Sequence, residues 1–201
     1  FFFEISKGAT CAGNVFVNCE NGIHVLNSTN VAMYHNTLVN APVVIERTTR
    51  SAVADHFGWH PRTGPDVDQR DGHVFVGNLL AADETFGEPL LQLKQDAALC
   101  GKLLKPQVGQ LDYNVYVRNG DATGENLIIW SPAPETDCTT GLKTTEELHR
   151  LNPAFAAHSL YLSNHYGPVF QSPELKRYEL NASLPNLPQV PSLPPNVSEH
   201  L

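Results

Sequence analysis

One short pattern recurs along this chain and constrains its fold more than any other feature. It is an Asn followed by apolar or β-branched residues. The copies are Asn14-Val15-Phe16-Val17-Asn18 (after Gly13), Asn36-Thr37-Leu38-Val39-Asn40, Asn78-Leu79-Leu80-Ala81-Ala82 and Asn114-Val115-Tyr116-Val117-Arg118. The first two lie roughly 22 residues apart, about one turn of a stacked repeat. A second series runs in phase with the first, and its central residues are Ile5, Val25, Ile45, Leu93 and Ile129. Two interleaved strand series, each returning about once per turn, are what stacked parallel coils look like in sequence.

One coil of about 20 residues has too little core to stand alone. Stacking places like residues above one another at about 4.8 Å, so Ile5, Val25, Ile45, Leu93 and Ile129 are expected to form one inward column. Asn suits the sharp turn between strands, because it tolerates left-handed backbone and bonds locally. Stacked asparagines are expected to pair from coil to coil.

The carriers Gly13-Asn14-Val15-Phe16-Val17-Asn18, Gly22-Ile23-His24-Val25 and His35-Asn36-Thr37-Leu38-Val39-Asn40 give the chain its likeness to a known group. It resembles the right-handed parallel β-helix (pectin-lyase-like) superfamily of carbohydrate-active proteins. The resemblance implies an all-β, right-handed parallel β-helix with a C-terminal cap containing a short helix. Coils are expected over 1–135 with an insert at 48–73, a cap over 136–183 and a Pro-rich tail over 184–201. Such repeats occur in lyases, hydrolases, epimerases, adhesins and tailspikes, so the resemblance speaks for the fold more than for the reaction. The paired-Asp, Gly-His-Gly and Arg-x-Lys motifs of polygalacturonases are missing, as is the Asp-His strand of pectate lyases.

Composition narrows the function classes. The net charge of −8, with no basic run, argues against nucleic acid. An apolar stretch of about 18 residues is absent, which argues against a membrane span. With Phe1-Phe2-Phe3 leading straight into a strand, the chain reads as the C-terminal portion of a longer stack, since an open end would expose core and strand edges. Four cysteines (11, 19, 100 and 138) form no C-x-x-C pair, which weakens a zinc reading. Cys100 and Cys138 lie in loop-like stretches and can pair in an oxidising compartment, while Cys11 and Cys19 read as small buried hydrophobes.

Strand alternation gives two outward rows. Glu4, His24, Val44, Gln92 and Ile128 form one; Ser6, Leu26, Glu46, Lys94 and Trp130 form the next. Such a face suits sugar, with Trp stacking on rings and polar groups bonding hydroxyls. It equally suits a solvated sheet surface.

The insert at 48–73 is dense in reactive side chains, including His56, Trp59, His60, Arg62, Asp66, Asp68 and Arg70. If extended, Asp66 and Asp68 share one face about 6–7 Å apart, near the separation of an inverting glycosidase pair. As residues beside Gly64 and Pro65 they also read as turn-formers. Glu46 supplies a third carboxylate and His60 a base, completing the candidate catalytic set. His24, Arg47, Trp59, Arg62, Arg70 and Lys94 are the candidate substrate ligands, with the arginines screening a uronate carboxylate. His56 and His60 at i, i+4 would need a helix to share a metal, and Gly58 and Pro61 oppose one, so no metal is assigned. The segment His56 to Pro61 is expected to fold back over the strand face, bringing Trp59 near Glu46 and Arg47 as one wall of a groove.

Past Trp130 the repeat stops. Thr144 with Glu147 three residues on reads as a capping box for a helix ended by Pro153. Trp130, residues 145–151, Ala157-His158-Ser159, Pro168-Val169-Phe170 and Tyr178-Glu179-Leu180 resemble the C-terminal finish of carbohydrate-active β-helices, expected to plug the bore. From Leu184 the repeated prolines predict an extended or disordered tail.

The function expected is a secreted (or periplasmic, or cell-surface) bacterial enzyme degrading polysaccharides, a glycoside hydrolase or polysaccharide lyase. It would act as a monomer on a polysaccharide or oligosaccharide, without cofactor unless a lyase mechanism calls for Ca2+. The reading from another class is a non-catalytic β-helix that binds glycans or builds a surface or tail fibre.

Overall fold

The computed structural model describes residues 1–50, 64–120, 126–135, 137–181 and 184–199. Three parallel sheets carry the fold. Sheet A stacks β1 (Phe2–Glu4), β4 (Ile23–Leu26), β7 (Val43–Arg47), β10 (Leu91–Gln95) and β13 (Ile128–Trp130), then ends on an antiparallel strand, β14 (Thr140–Leu142). Sheet B holds β2 (Lys7–Ala12), β5 (Thr29–Tyr34), β8 (His73–Val76) and β11 (Val108–Asp112). Sheet C holds β3 (Val15–Val17), β6 (Thr37–Val39), β9 (Leu79–Ala82), β12 (Val115–Asn119) and β15 (Leu160–His165). Successive strands of one sheet are therefore about one pass of the chain apart, an order compatible with a β-helix-like fold.

Register explains why the core is continuous. In sheet A, Ile23, Val43, Leu91 and Ile128 stack as one inward column, all fully buried. Phe3, Val25, Ile45 and Leu93 form the next. Sheet B contributes Cys11, Met33, Phe75 and Leu111, and sheet C contributes Phe16, Leu38, Leu80 and Tyr116. Three of the five residues expected in one column, Val25, Ile45 and Leu93, do share it. Ile5 does not: its φ of 46° puts it at the corner after β1, opposite Asn27, whose φ is 51°. Ile129 pairs with Gln92 on the outer face, one residue out of the expected register. A one-residue slip exchanges the two faces, so Ile128 and Trp130 turn inward instead.

The asparagines form the expected ladder. Nδ2 of Asn14, Asn36 and Asn78 donates to Oδ1 of the next Asn at 3.1, 3.0 and 3.2 Å. The backbone N–H of each donates to the same oxygen at 3.1, 3.0 and 2.9 Å. The series ends where Asn114 N donates to Ser159 Oγ at 3.1 Å. The left-handed residues are not these asparagines but those before them: Gly13, His35, Gly77 and Tyr113, with φ of 67°, 51°, 70° and 57°. In the ladder the Asn side chain thus serves as a turn partner, while the left-handed backbone expected of Asn falls at other turn asparagines, Asn18, Asn27, Asn30 and Asn40, with φ of 52°, 51°, 53° and 48°.

The cap follows from local chemistry. Helix α1 (Thr145–Leu151) starts at Thr144, whose Oγ1 accepts from Glu147 N at 3.2 Å. The reciprocal arm differs from a capping box, since Glu147 Oε2 accepts from Lys143 N. Leu148, Phe155, Ala156 and Trp130 join the main core, so this helix and the turn after it pack against the core between the sheets. The antiparallel pair β16 (Phe170–Ser172) and β17 (Arg177–Leu180) does something else. Val169, Phe170, Tyr178 and Leu180 pack with Leu79, Ala81, Val115 and Val117 on the outer face of sheet C, covering its flank and not plugging the bore. The tail is also more ordered than expected: Leu184 and Val197 are buried, and a single helical turn, α2 (Pro195–Ser198), begins on prolines that need no N–H there. Cys100 and Cys138 form a disulfide, while Cys11 is buried and Cys19 half-buried, both as free thiols.

Candidate functional site

The outer face of sheet A carries two rows fixed by strand register. One is Phe2, His24, Val44, Gln92 and Ile129; the other is Glu4, Leu26, Glu46 and Lys94. Glu4 therefore stands opposite Leu26 and not beside His24 in one row. Trp130 leaves the face altogether: it is buried, its ring tilts against Phe155 at 5.6 Å, and Nε1 donates to Pro132 O at 3.1 Å. Ile128, also placed on this face by the sequence, is fully buried.

What remains is a compact charged strip. His24 Nε2 lies 3.6 Å from Glu46 Oε2, both side chains partly shielded. The Phe2 ring tilts against the His24 imidazole at 5.3 Å. Glu4 is paired with Arg50. Lys94 is in register with Glu46 on the adjacent strand. Glu4 and Glu46 are two strands apart in one row, about 10 Å between Cα positions at the usual strand spacing.

Arg47 and Arg70 lie elsewhere than expected. Arg47 is buried at 2% exposure; Nε donates to Gln95 Oε1 at 2.7 Å and Nη2 to the carbonyls of Leu103 and Lys105 at 3.1 and 2.8 Å. Desolvation lowers its pKa to about 10, with Asp71 pulling the other way, so it remains a cation near neutral pH. Arg70 is buried at 1% exposure, and Nη1 donates to Asn27 Oδ1 at 2.9 Å and to Thr48 O at 2.7 Å, with Nη2 on Arg50 O. Burial, then the nearby Arg50, lowers its pKa too. Both guanidiniums are buried and staple loop carbonyls.

Asp66 and Asp68 are not on an extended segment. Asp66 precedes a single 3-10 turn over Val67–Gln69, its N–H reaching Gln69 Oε1 at 3.4 Å, and the exposed Asp68 lies within that turn. The side-by-side carboxylate geometry read from the sequence is thus replaced by a turn. His56, Trp59, His60 and Arg62, with the fold-back expected of them, lie outside the described residues. The chain rejoins the stack at β8 as anticipated.

Sequence reasoning passed over one pair. Asp112 and His158 meet at 2.7 Å on the edge of sheet B, and only the spacing of two remote turn segments would have joined them. Among the described residues no group of three or more His, Cys, Asp or Glu is arranged to hold a metal ion, and no helix is long and apolar enough to cross a membrane. Compared with known proteins, the chain matches no family model, no curated protein and no solved structure.

Proposed function

We propose that the chain is part of a right-handed parallel β-helix of the pectin-lyase-like kind, and that the outer face of sheet A is its glycan-processing groove. The reading is carried by Glu4 and Glu46 in one row, two strands apart. Side-chain freedom brings a pair about 10 Å apart at Cα into the roughly 6.5–9.5 Å range at which two carboxyl groups admit a water and a glycosidic bond between them. Glu4, beside the Arg50 cation, is the carboxylate suited to activating water. Glu46, with His24 at 3.6 Å, is the group placed to act as the general acid toward a leaving oxygen. Lys94 offers a cation to a hydroxyl or a carboxylate of the sugar. The Cys100–Cys138 disulfide supports a secreted, periplasmic or cell-surface location.

The test is a panel of neutral and uronic-acid polysaccharides incubated with the protein, with new reducing ends and unsaturated-uronate absorbance followed together. Reducing ends alone are expected. Glu46→Gln and Glu4→Gln should each lower turnover about 10²–10⁴-fold with an unchanged melting temperature. Unsaturated ends would make the reaction a lyase, with His24 or Lys94 as base. Binding without any turnover would overturn the enzymatic reading in favour of a glycan-binding surface.

A further inference from the structure

A cleft lies where the tail crosses sheet B. Tyr34, Val76 and Asp112 are in register on the outer face of that sheet. Pro191 and Pro194 cross beside them, anchored where the His35 ring nitrogen Nε2 meets Pro191 O at 3.1 Å. Between tail and sheet is a cleft of about 360 Å³, lined also by Tyr113, Gln110 and Ser192. That volume sits at the small end of ligand sites, about 300–1,000 Å³, enough for one or two sugar rings.

The lining selects the chemistry. Two tyrosine rings and prolines offer flat apolar surface, and Asp112, Gln110 and Ser192 offer groups that bond hydroxyls. Among the described residues no Lys or Arg lines the cleft, and Asp112 carries a negative charge, so an anionic sugar is disfavoured. Tyr113 is held rigid: its ring lies flat on His158 at 4.6 Å and 4°, and its N–H donates to Asp112 Oδ1 at 2.8 Å. Asp112 in turn fixes His158 through Nδ1 and the backbone N–H, each at 2.7 Å. Such a braced aromatic platform loses little freedom when a ring stacks on it. We propose that this cleft binds an uncharged pyranose, with Tyr113 as the stacking surface and Asp112 and Gln110 as hydroxyl ligands. The proposal does not rest on catalysis at sheet A.

Methyl β-D-glucopyranoside and glucuronic acid are the probes, followed by saturation transfer from the protein to the sugar and by the His158 imidazole resonance. The neutral glycoside is expected to bind in the millimolar range and to shift His158, and glucuronic acid at least tenfold more weakly. Tyr113→Ala should weaken binding at least tenfold. Ser192→Trp, at an exposed position, should fill the cleft and abolish binding with an unchanged melting temperature, and it decides the matter if Tyr113→Ala fails to fold. No transfer to the neutral glycoside, or equal binding by wild type and Ser192→Trp, overturns the proposal. Binding lost in Glu46→Gln but kept in Ser192→Trp would place the sugar on sheet A, overturning this cleft while leaving the glycan-processing reading intact.

Discussion

His73 should make this fold acid-sensitive well above the range where carboxylates titrate. It opens β8, is 1% exposed, and its Nδ1 accepts the backbone N–H of Val31 at 3.2 Å. A proton on Nδ1 would remove that acceptor and strand a buried N–H. Burial lowers its pKa to about 4; Asp71 opposes the shift, Arg47 adds to it, and a bond to the Ser28 backbone opposes it. In the unfolded chain the value is about 6.5, so between these two values the unfolded state binds the extra proton. A depressed folded value means the stabilisation is complete above pH ~6.5, erodes as pH falls, and is fully lost near pH ~4. At about 1.36 kcal/mol per unit, falling from pH 6.5 to 5 removes ~2 kcal/mol, and the full window ~3 kcal/mol. For a chain of this size ~2 kcal/mol is a drop of roughly 4–8 °C in melting temperature. Urea titrations at pH 7.5, 6 and 5, alongside His73→Gln, whose amide oxygen can still accept from Val31, provide the assay. Wild type should lose stability across that series and His73→Gln should lose much less. Equal losses in the two proteins, or an NMR titration of His73 near 6.5, would refute the reasoning. Asp112 falls in a separate window: burial raises its pKa, but bonds from His158 and Tyr113 outweigh that and leave it depressed. Its contribution is present above the unfolded carboxylate value and is lost only as pH falls below about 4.

Reducing the Cys100–Cys138 bond, which spans 38 residues, should cost about 4 kcal/mol by loop entropy and lower the urea midpoint measured with and without reductant. Asn78→Ala removes a donor to Met33 O at 3.0 Å and the oxygen that accepts from Asn36, so it should cost about 3 kcal/mol in chemical denaturation, more than an Asn14→Ala change at the exposed end of the ladder. Arg70→Met should lower stability by about 3 kcal/mol and any polysaccharide turnover in step with it; a raised KM on a fully stable protein would instead make Arg70 a substrate ligand.

The fold was legible because its physics is periodic. Asn14, Asn36, Asn78 and Asn114 recur since their side-chain amides bond one to the next, which calls for a donor and an acceptor on one short side chain. The strands Val43–Arg47 and Leu91–Gln95 stood out for the same reason. Register failed at the two ends of sheet A. At Ile5 the strand had already turned, and a β-branched residue occupies a corner that Asn27 fills one coil later. At Ile129 both neighbours are apolar, so alternation alone could not say which of Ile128 and Ile129 faces inward. The pairing of Cys100 with Cys138 was one option in the sequence, and proximity of two loops across the stack decided it.

The arginines show why the site was harder to read than the fold. Arg47, Arg50 and Arg70 look alike as charges near an insert, yet Arg50 pairs with Glu4 while the other two turn to backbone carbonyls. A signal for Arg47 did exist. It has the same parity as Val43 and Ile45, which are inward, whereas Glu46 alternates outward. Gln95, its partner in register, bonds its Nε. Arg118 repeats the device: it shares the parity of the fully buried Tyr116 and donates to Phe86 O, Glu88 O and Asn126 O at 2.9, 2.7 and 3.2 Å. Loops that leave a stack carry carbonyls with no strand partner, and a buried guanidinium with five donors satisfies several at once. An Arg at the last inward position of a strand, next to a long connection, is therefore read first as a loop staple. Ligand binding is then sought among charges of outward parity, which on sheet A leaves Glu4, His24, Glu46 and Lys94.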